Sequence, residues 1–129
     1  MNIIIKQIKP VVDQLEKEAR LLLSKYEEIK HIENPQKLKL IIKRTSEFGI
    51  SIRWRRTTSW RLPNESFETI FIRAKKDKNY SIDSVLRFAQ LDDHHLIEEL
   101  EEKLAIIRKK VASLAEINRQ VKKLNQLNT

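Results

Sequence analysis

Cysteine is absent from the 129 residues, so neither a disulfide framework nor a thiolate metal site can be built, and a reducing, cytoplasmic setting is expected. Glycine occurs once and proline three times. That is too few for the turns of a β-sandwich or for a glycine-rich loop that cradles phosphates. Apolar runs such as Ile3-Ile4-Ile5 and Leu21-Leu22-Leu23 are far shorter than a membrane span or a signal-peptide core, so neither is expected. Nucleophilic catalysis lacks candidates: there is no cysteine and no serine set between glycines, and His31 reads as a cation at a helix end. The chain is expected to be no enzyme and to carry no cofactor.

What the chain has in excess is positive charge, and it is concentrated. The net charge is +8. Residues 1–36 hold six bases and six acids, and residues 79–129 hold eight of each. Residues 37–78 hold twelve bases against Glu47, Glu65, Glu68 and Asp77, so the whole excess lies there, together with both tryptophans. Charge clustered between neutral flanks is the footprint of a polyanion partner, nucleic acid before an anionic membrane.

The length suits a single domain with a modest core. It divides into an N-terminal helical segment over 1–35, a basic sheet region over 36–79 and a C-terminal helical segment over 80–129. Val12, Leu15, Ala19, Leu22, Tyr26 and Ile29 recur in steps of 3 and 4, predicting an amphipathic helix over about 10–32 with Pro10 in its first turn. Residues 1–9 read either as a short strand or as an earlier helical turn; Ile5 and Ile8 continue the repeat backwards. Asn34-Pro35 ends the helix or caps another.

Residues 36–48 admit a helix, with Leu38, Ile41, Ile42, Thr45 and Phe48 on one face. They also admit a strand from the Lys37–Leu40 alternation, with Thr45–Gly49 as a hairpin loop; the strand is preferred because another follows. That next strand is Ile50–Arg56, with Ile50, Ile52 and Trp54 on one face and Ser51, Arg53 and Arg55 on the other. Thr57–Glu65 reads as a connection with Pro63-Asn64 as its turn, and Phe67–Arg73 as a strand with apolar residues on both faces. Ser81 caps a short helix over about 82–90, and Asp92 or Asp93 marks a fresh start. The last helix, about 92–127, carries Ile97, Leu100, Leu104, Ile107, Val111, Leu114, Asn118 and Val121 at heptad spacing. The fold class is α+β: two long amphipathic helices and a short one flanking an antiparallel sheet of two or three strands.

Three constellations carry functional expectations. Lys39, Lys43, Arg53, Arg55, Arg56, Trp60, Arg61, Arg73, Lys75, Lys76 and Lys78 are the nucleic-acid candidates: bases for phosphates and Trp60 for stacking from a loop. Trp54 belongs to the core, because it continues the Ile50/Ile52 face. The heptad positions of the last helix are candidates for a homodimer seam, or for a hairpin with the first helix, or for both in a four-helix arrangement. The last helix is the longer, so one helix cannot cover the other. The cluster Asp92-Asp93-His94-His95 with Glu98, Glu99, Glu102 and Lys103 could hold a metal, but its spacing is unspecific. Acids at a helix start and exposed His–Glu pairs explain it without one. The expected function is a small dimeric DNA-binding accessory or regulatory protein. The alternative is a coiled-coil interaction module, or an inhibitor, that docks an acidic protein.

Overall fold

The computed structural model describes residues 3–28, 38–61, 67–72, 74, 80–87, 89 and 91–127, without the side chains of 57–61, 67–70 and 91. Its first element, α1, is the helix Ile3–Glu28. It starts seven residues before the expected first turn at Pro10, which lies inside it. An interior proline removes one i to i−4 hydrogen bond, here the one to Lys6. The helix continues through it because the repeat does: Ile8 and Val12 are both buried. Asn34-Pro35 and His31 lie outside the described residues.

Three strands follow, β1 (Leu38–Ser46), β2 (Gly49–Arg61) and β3 (Phe67–Phe71), paired antiparallel in the order β1-β2-β3. The strand reading of residues 36–48 therefore holds over Leu38–Ser46. The expected five-residue loop is a tighter turn at Glu47 and Phe48, with Ser46 opposite Gly49 and a register shift after Arg44. The approach at Gly49 is close: a Cβ there would sit 2.5 Å from Thr45 Oγ1, so any larger residue would force the Thr45 side chain to shift. The expected connection from Thr57 is a correction. β2 runs on through Trp60 to Arg61, pairing Thr57 with Thr69 and Arg61 with Phe67. Two threonines and a tryptophan suit a pleated strand. The Pro63-Asn64 turn lies outside the described residues.

After the sheet come the short helix α2 (Ile82–Leu86), a 3-10 turn at Leu91–Asp93 and the long helix α3 (His94–Leu127). The fresh start near Asp92 is thus present. Ser81 is the N-cap residue of α2, but its side chain makes no capping bond; its carbonyl instead accepts from Ser84 N and Ser84 Oγ.

Helices α1 and α3 pack antiparallel. One groove between them is lined by Leu21, Leu22, Lys103, Ile106 and Ile107, and the next by Val11, Leu15, Ser113 and Leu114. Further along the two helices Ile8 of α1 and Asn118 and Val121 of α3 are also buried. The early start of α1 extends the hairpin along α3, where Val121 is buried while Leu124 and Leu127 stay exposed, and the sheet packs on the beginning of α3. Leu38, Leu40, Ile42, Ile52 and Trp54 face the helices and join Ile97, Leu100, Leu104, Ile107 and Val111 in one core.

The heptad residues named as a dimer seam are thus inside the single chain. Ile97 and Leu104 are fully buried, Leu114 is half-buried against the core, and Asn118 and Val121 are buried further along. The intramolecular hairpin accounts for the repeat. The side chains that α3 leaves exposed are others, such as Ile106 and Ile117.

Candidate nucleic-acid interface

Strand alternation gives the sheet two unlike faces. Toward the helices lie Leu38, Leu40, Ile42, Ile52 and Trp54, all buried. Away from them lie Lys39, Ile41 and Lys43 of β1, Ser51, Arg53 and Arg55 of β2, and Phe71 of β3, exposed or half-buried. Register sets them in rows. Lys39 is opposite Arg55, which is opposite Phe71; Ile41 is opposite Arg53; Lys43 is opposite Ser51.

The outer face is basic and contains no acid among its described residues. The guanidinium carbon of Arg53 stands 3.5 Å from the centre of the Phe71 ring, and that of Arg55 stands 4.1 Å from it. Both are within cation–π range, so one ring contacts two guanidiniums. Arg55 Nε is buried without a hydrogen-bond partner. Lys39 and Arg55 are directly opposed like charges, an arrangement that costs stability in a sheet unless something neutralises it. Among the described residues no carboxylate pairs with Lys39, Lys43, Arg53 or Arg55.

Arg56 does not join them. Alternation places it on the Trp54 side, half-buried and already engaged. Trp60 and Arg61 are on β2 rather than in a loop, and their side chains lie outside the described residues. Arg73, Lys75, Lys76 and Lys78 lie outside them altogether. Four of the eleven candidates therefore share one described face: Lys39, Lys43, Arg53 and Arg55. Arg44, another base of the middle region, is used internally. Its Nη1 donates to Asp13 Oδ1 and Glu16 Oε1, both at 2.8 Å, joining the β1–β2 turn to α1. Those hydrogen bonds hold the Asp13 and Glu16 carboxyls below the usual carboxylate range, with Lys9 and Arg20 helping.

The face is held from behind by a buried polar network. Trp54 is fully buried, and its Nε1 donates to Glu101 Oε1 at 2.9 Å. Arg108 clasps Glu101 with both terminal nitrogens, at 2.7 and 3.0 Å, and its Nε donates to the carbonyl of Ile52 at 3.0 Å. The Trp54 backbone N–H donates to Tyr80 Oη, while Tyr26 packs edge-on to the indole and donates to the carbonyl of Leu38. Burial pushes the Tyr26 hydroxyl pKa well up, so it stays a donor. Ile52 and Trp54 alternate with Arg53 and Arg55, so this network fixes the strand that presents the two arginines.

Sequence reasoning missed Phe71 as part of the site, and it missed Glu101 and Arg108 as buried partners. Alternation puts Phe71 opposite Ile72, but only the cross-strand register brings it to Arg55. Glu101 and Arg108 lie seven residues apart on the core side of α3, and that spacing was the available signal. In the acidic cluster, His95 Nε2 lies 3.6 Å from Glu99 Oε1 as an exposed pair, while Asp93 is buried. Among the described residues no three His, Cys, Asp or Glu side chains converge as metal ligands would.

No curated protein and no solved structure matches this chain. One family model does, that of the MobI protein, and it spans residues 13–122, from the first helix through the whole sheet into the end of α3. With most of its length inside that match, the chain belongs to the MobI family.

Proposed function

We propose that this protein is a nucleic-acid-binding accessory protein that grips DNA through the outer face of its sheet. The observation that carries the reading is the row Lys39–Arg55–Phe71 with Arg53 and Lys43 beside it: a basic surface around the Phe71 ring that holds no acid among its described residues. Phosphates would neutralise the opposed Lys39 and Arg55, and each guanidinium can donate to a phosphate while stacked. Membership of the MobI family, related to plasmid mobilisation, is compatible with a DNA-related accessory role. The role is binding, with no catalytic step of its own, in the cytoplasm. No helix among the described residues is long and apolar enough to cross a membrane. A homodimer is not required, since one chain presents the whole face.

Fluorescence anisotropy with duplex DNA, single-stranded DNA and RNA at several salt concentrations tests the reading. If about six phosphates are contacted, log K against log salt falls with a slope near −5. No binding at about 50 mM salt, or binding indifferent to salt, would refute it. So would affinity unchanged by the double substitution Lys39→Glu, Arg53→Glu.

A further inference from the structure

On the side of the α1–α3 hairpin where the two helices meet solvent, two shallow grooves of about 340 and 520 Å³ run end to end. Ile106 lines both of them. Apolar side chains are left uncovered here: Leu21 is 65 % exposed, Ile106 is 55 % exposed and Val11 is 47 % exposed. On α3 the stripe continues to Ile117 and Leu124, also exposed. Ile106, Ser113, Ile117 and Leu124 follow steps of 7, 4 and 7, which keeps them on one line of the helix. Contiguous exposed apolar side chains rimmed by charge are the surface signature of an interaction site. The rim has one sign in excess: Lys25, Lys103, Lys109 and Lys110 line the grooves, against Glu18.

We propose that this groove binds an acidic amphipathic helix of a partner protein, which completes a three-helix packing on α1 and α3. The partner would place apolar residues at i, i+3, i+4 and i+7 on Leu21, Ile106 and Val11, and carboxylates over the lysines. The charge pattern selects this occupant. A second copy meeting the groove by two-fold symmetry would bring the same patch against itself, lysines facing lysines. The chain's own exposed acids at Glu98, Glu99 and Glu102 have, among the described residues of α3 before Ile106, no exposed large apolar side chain beside them, so they would bring carboxylates to the groove of another copy without an apolar stripe. A nucleic-acid backbone would pair with the lysines but leave Leu21 and Ile106 uncovered. The groove belongs to the helical hairpin and the basic face to the sheet, so the protein could hold DNA and the partner helix together.

A labelled helical peptide of about three heptads, with Leu at the core positions and Glu on both flanks, is the probe; the same peptide with Lys for Glu is the control. The acidic peptide should bind the full chain at least about tenfold more tightly than the basic one. Ile106→Glu and Leu21→Glu should each weaken it by about tenfold or more, with unchanged circular dichroism because both sites are exposed. Arg53→Ala, which alters only the sheet face, should leave peptide affinity unchanged, so the two surfaces succeed or fail separately. The proposal is overturned by no saturation up to about 1 mM peptide, by equal affinity of the two peptides, or by indifference to Ile106→Glu. Sedimentation showing a dimer that Ile106→Glu dissociates would also overturn it, by giving the groove to a second copy.

Discussion

Arg53 and Glu101 stand on opposite sides of the sheet and should fail in opposite ways. Arg53 is exposed and stacked on Phe71, so Arg53→Ala removes an exposed cation–π contact of about 0.5–1 kcal/mol from the fold. From the complex it should remove about 1.5 kcal/mol, roughly tenfold in DNA affinity, and lower the salt slope by about 1. Anisotropy titrations and a thermal melt measure the two effects separately. Glu101 is the reverse case. Glu101→Ala leaves the Arg108 guanidinium buried without a counter-charge and the Trp54 indole N–H without its acceptor. A loss of about 3–5 kcal/mol in urea unfolding is expected. Replacing Glu101 and Arg108 together by methionine should recover part of it, because the orphaned charge is removed while the Trp54 indole N–H and the Ile52 carbonyl stay without their partners. A double variant as unstable as the single one would show that the pair itself stabilises the fold.

Among the elements, the junction between α1 and the β1–β2 turn depends on pH. Asp13 and Glu16 have ordinary values of 3.8 and 4.5, and Arg44 lowers both in the folded chain. Depressed carboxyls contribute stability that is fully present above the unfolded values and is lost as pH falls through the folded ones. The urea midpoint should therefore drop on acidification below about pH 4. In Arg44→Met that limb should be shallower, the variant being weaker than the parent at neutral pH and approaching it in acid. Parallel curves for the two proteins would assign the acid limb to other carboxyls. These same elements show what the sequence makes legible. β1 and the first half of β2 could be read because one face is buried and the other wet, which writes period two into Leu38–Ile42 and Ile50–Arg55. The start of α1 could not, because Pro10 satisfies the rule for a first helical turn equally well. The second half of β2 could not, because Thr-Thr-Ser suits a loop as well as a strand until a partner at Thr69 is known.

Across the whole molecule, the division into two neutral helical flanks and a charged sheet was readable from charge counts, and the heptad from spacing. What the heptad packs against was not readable. A 3-4 repeat serves a partner chain or the chain's own hairpin identically, and only the antiparallel register of α1 and α3 decides. β1 is the first strand of the order β1-β2-β3, and among the described residues one of its flanks has no neighbour within the sheet. Such a flank is a template for further strands, and natural proteins guard it with lysines. Lys39 and Lys43 are that guard as well as candidate phosphate contacts. Lys39→Ala with Lys43→Ala should make concentrated protein form aggregates rich in intermolecular β structure, seen as light scattering and an infrared band, whereas glutamate at both positions should keep it soluble. The charge that would draw DNA to this surface thus also keeps other copies of the strand away, so lowering affinity by neutral substitution should reduce the solubility of the chain.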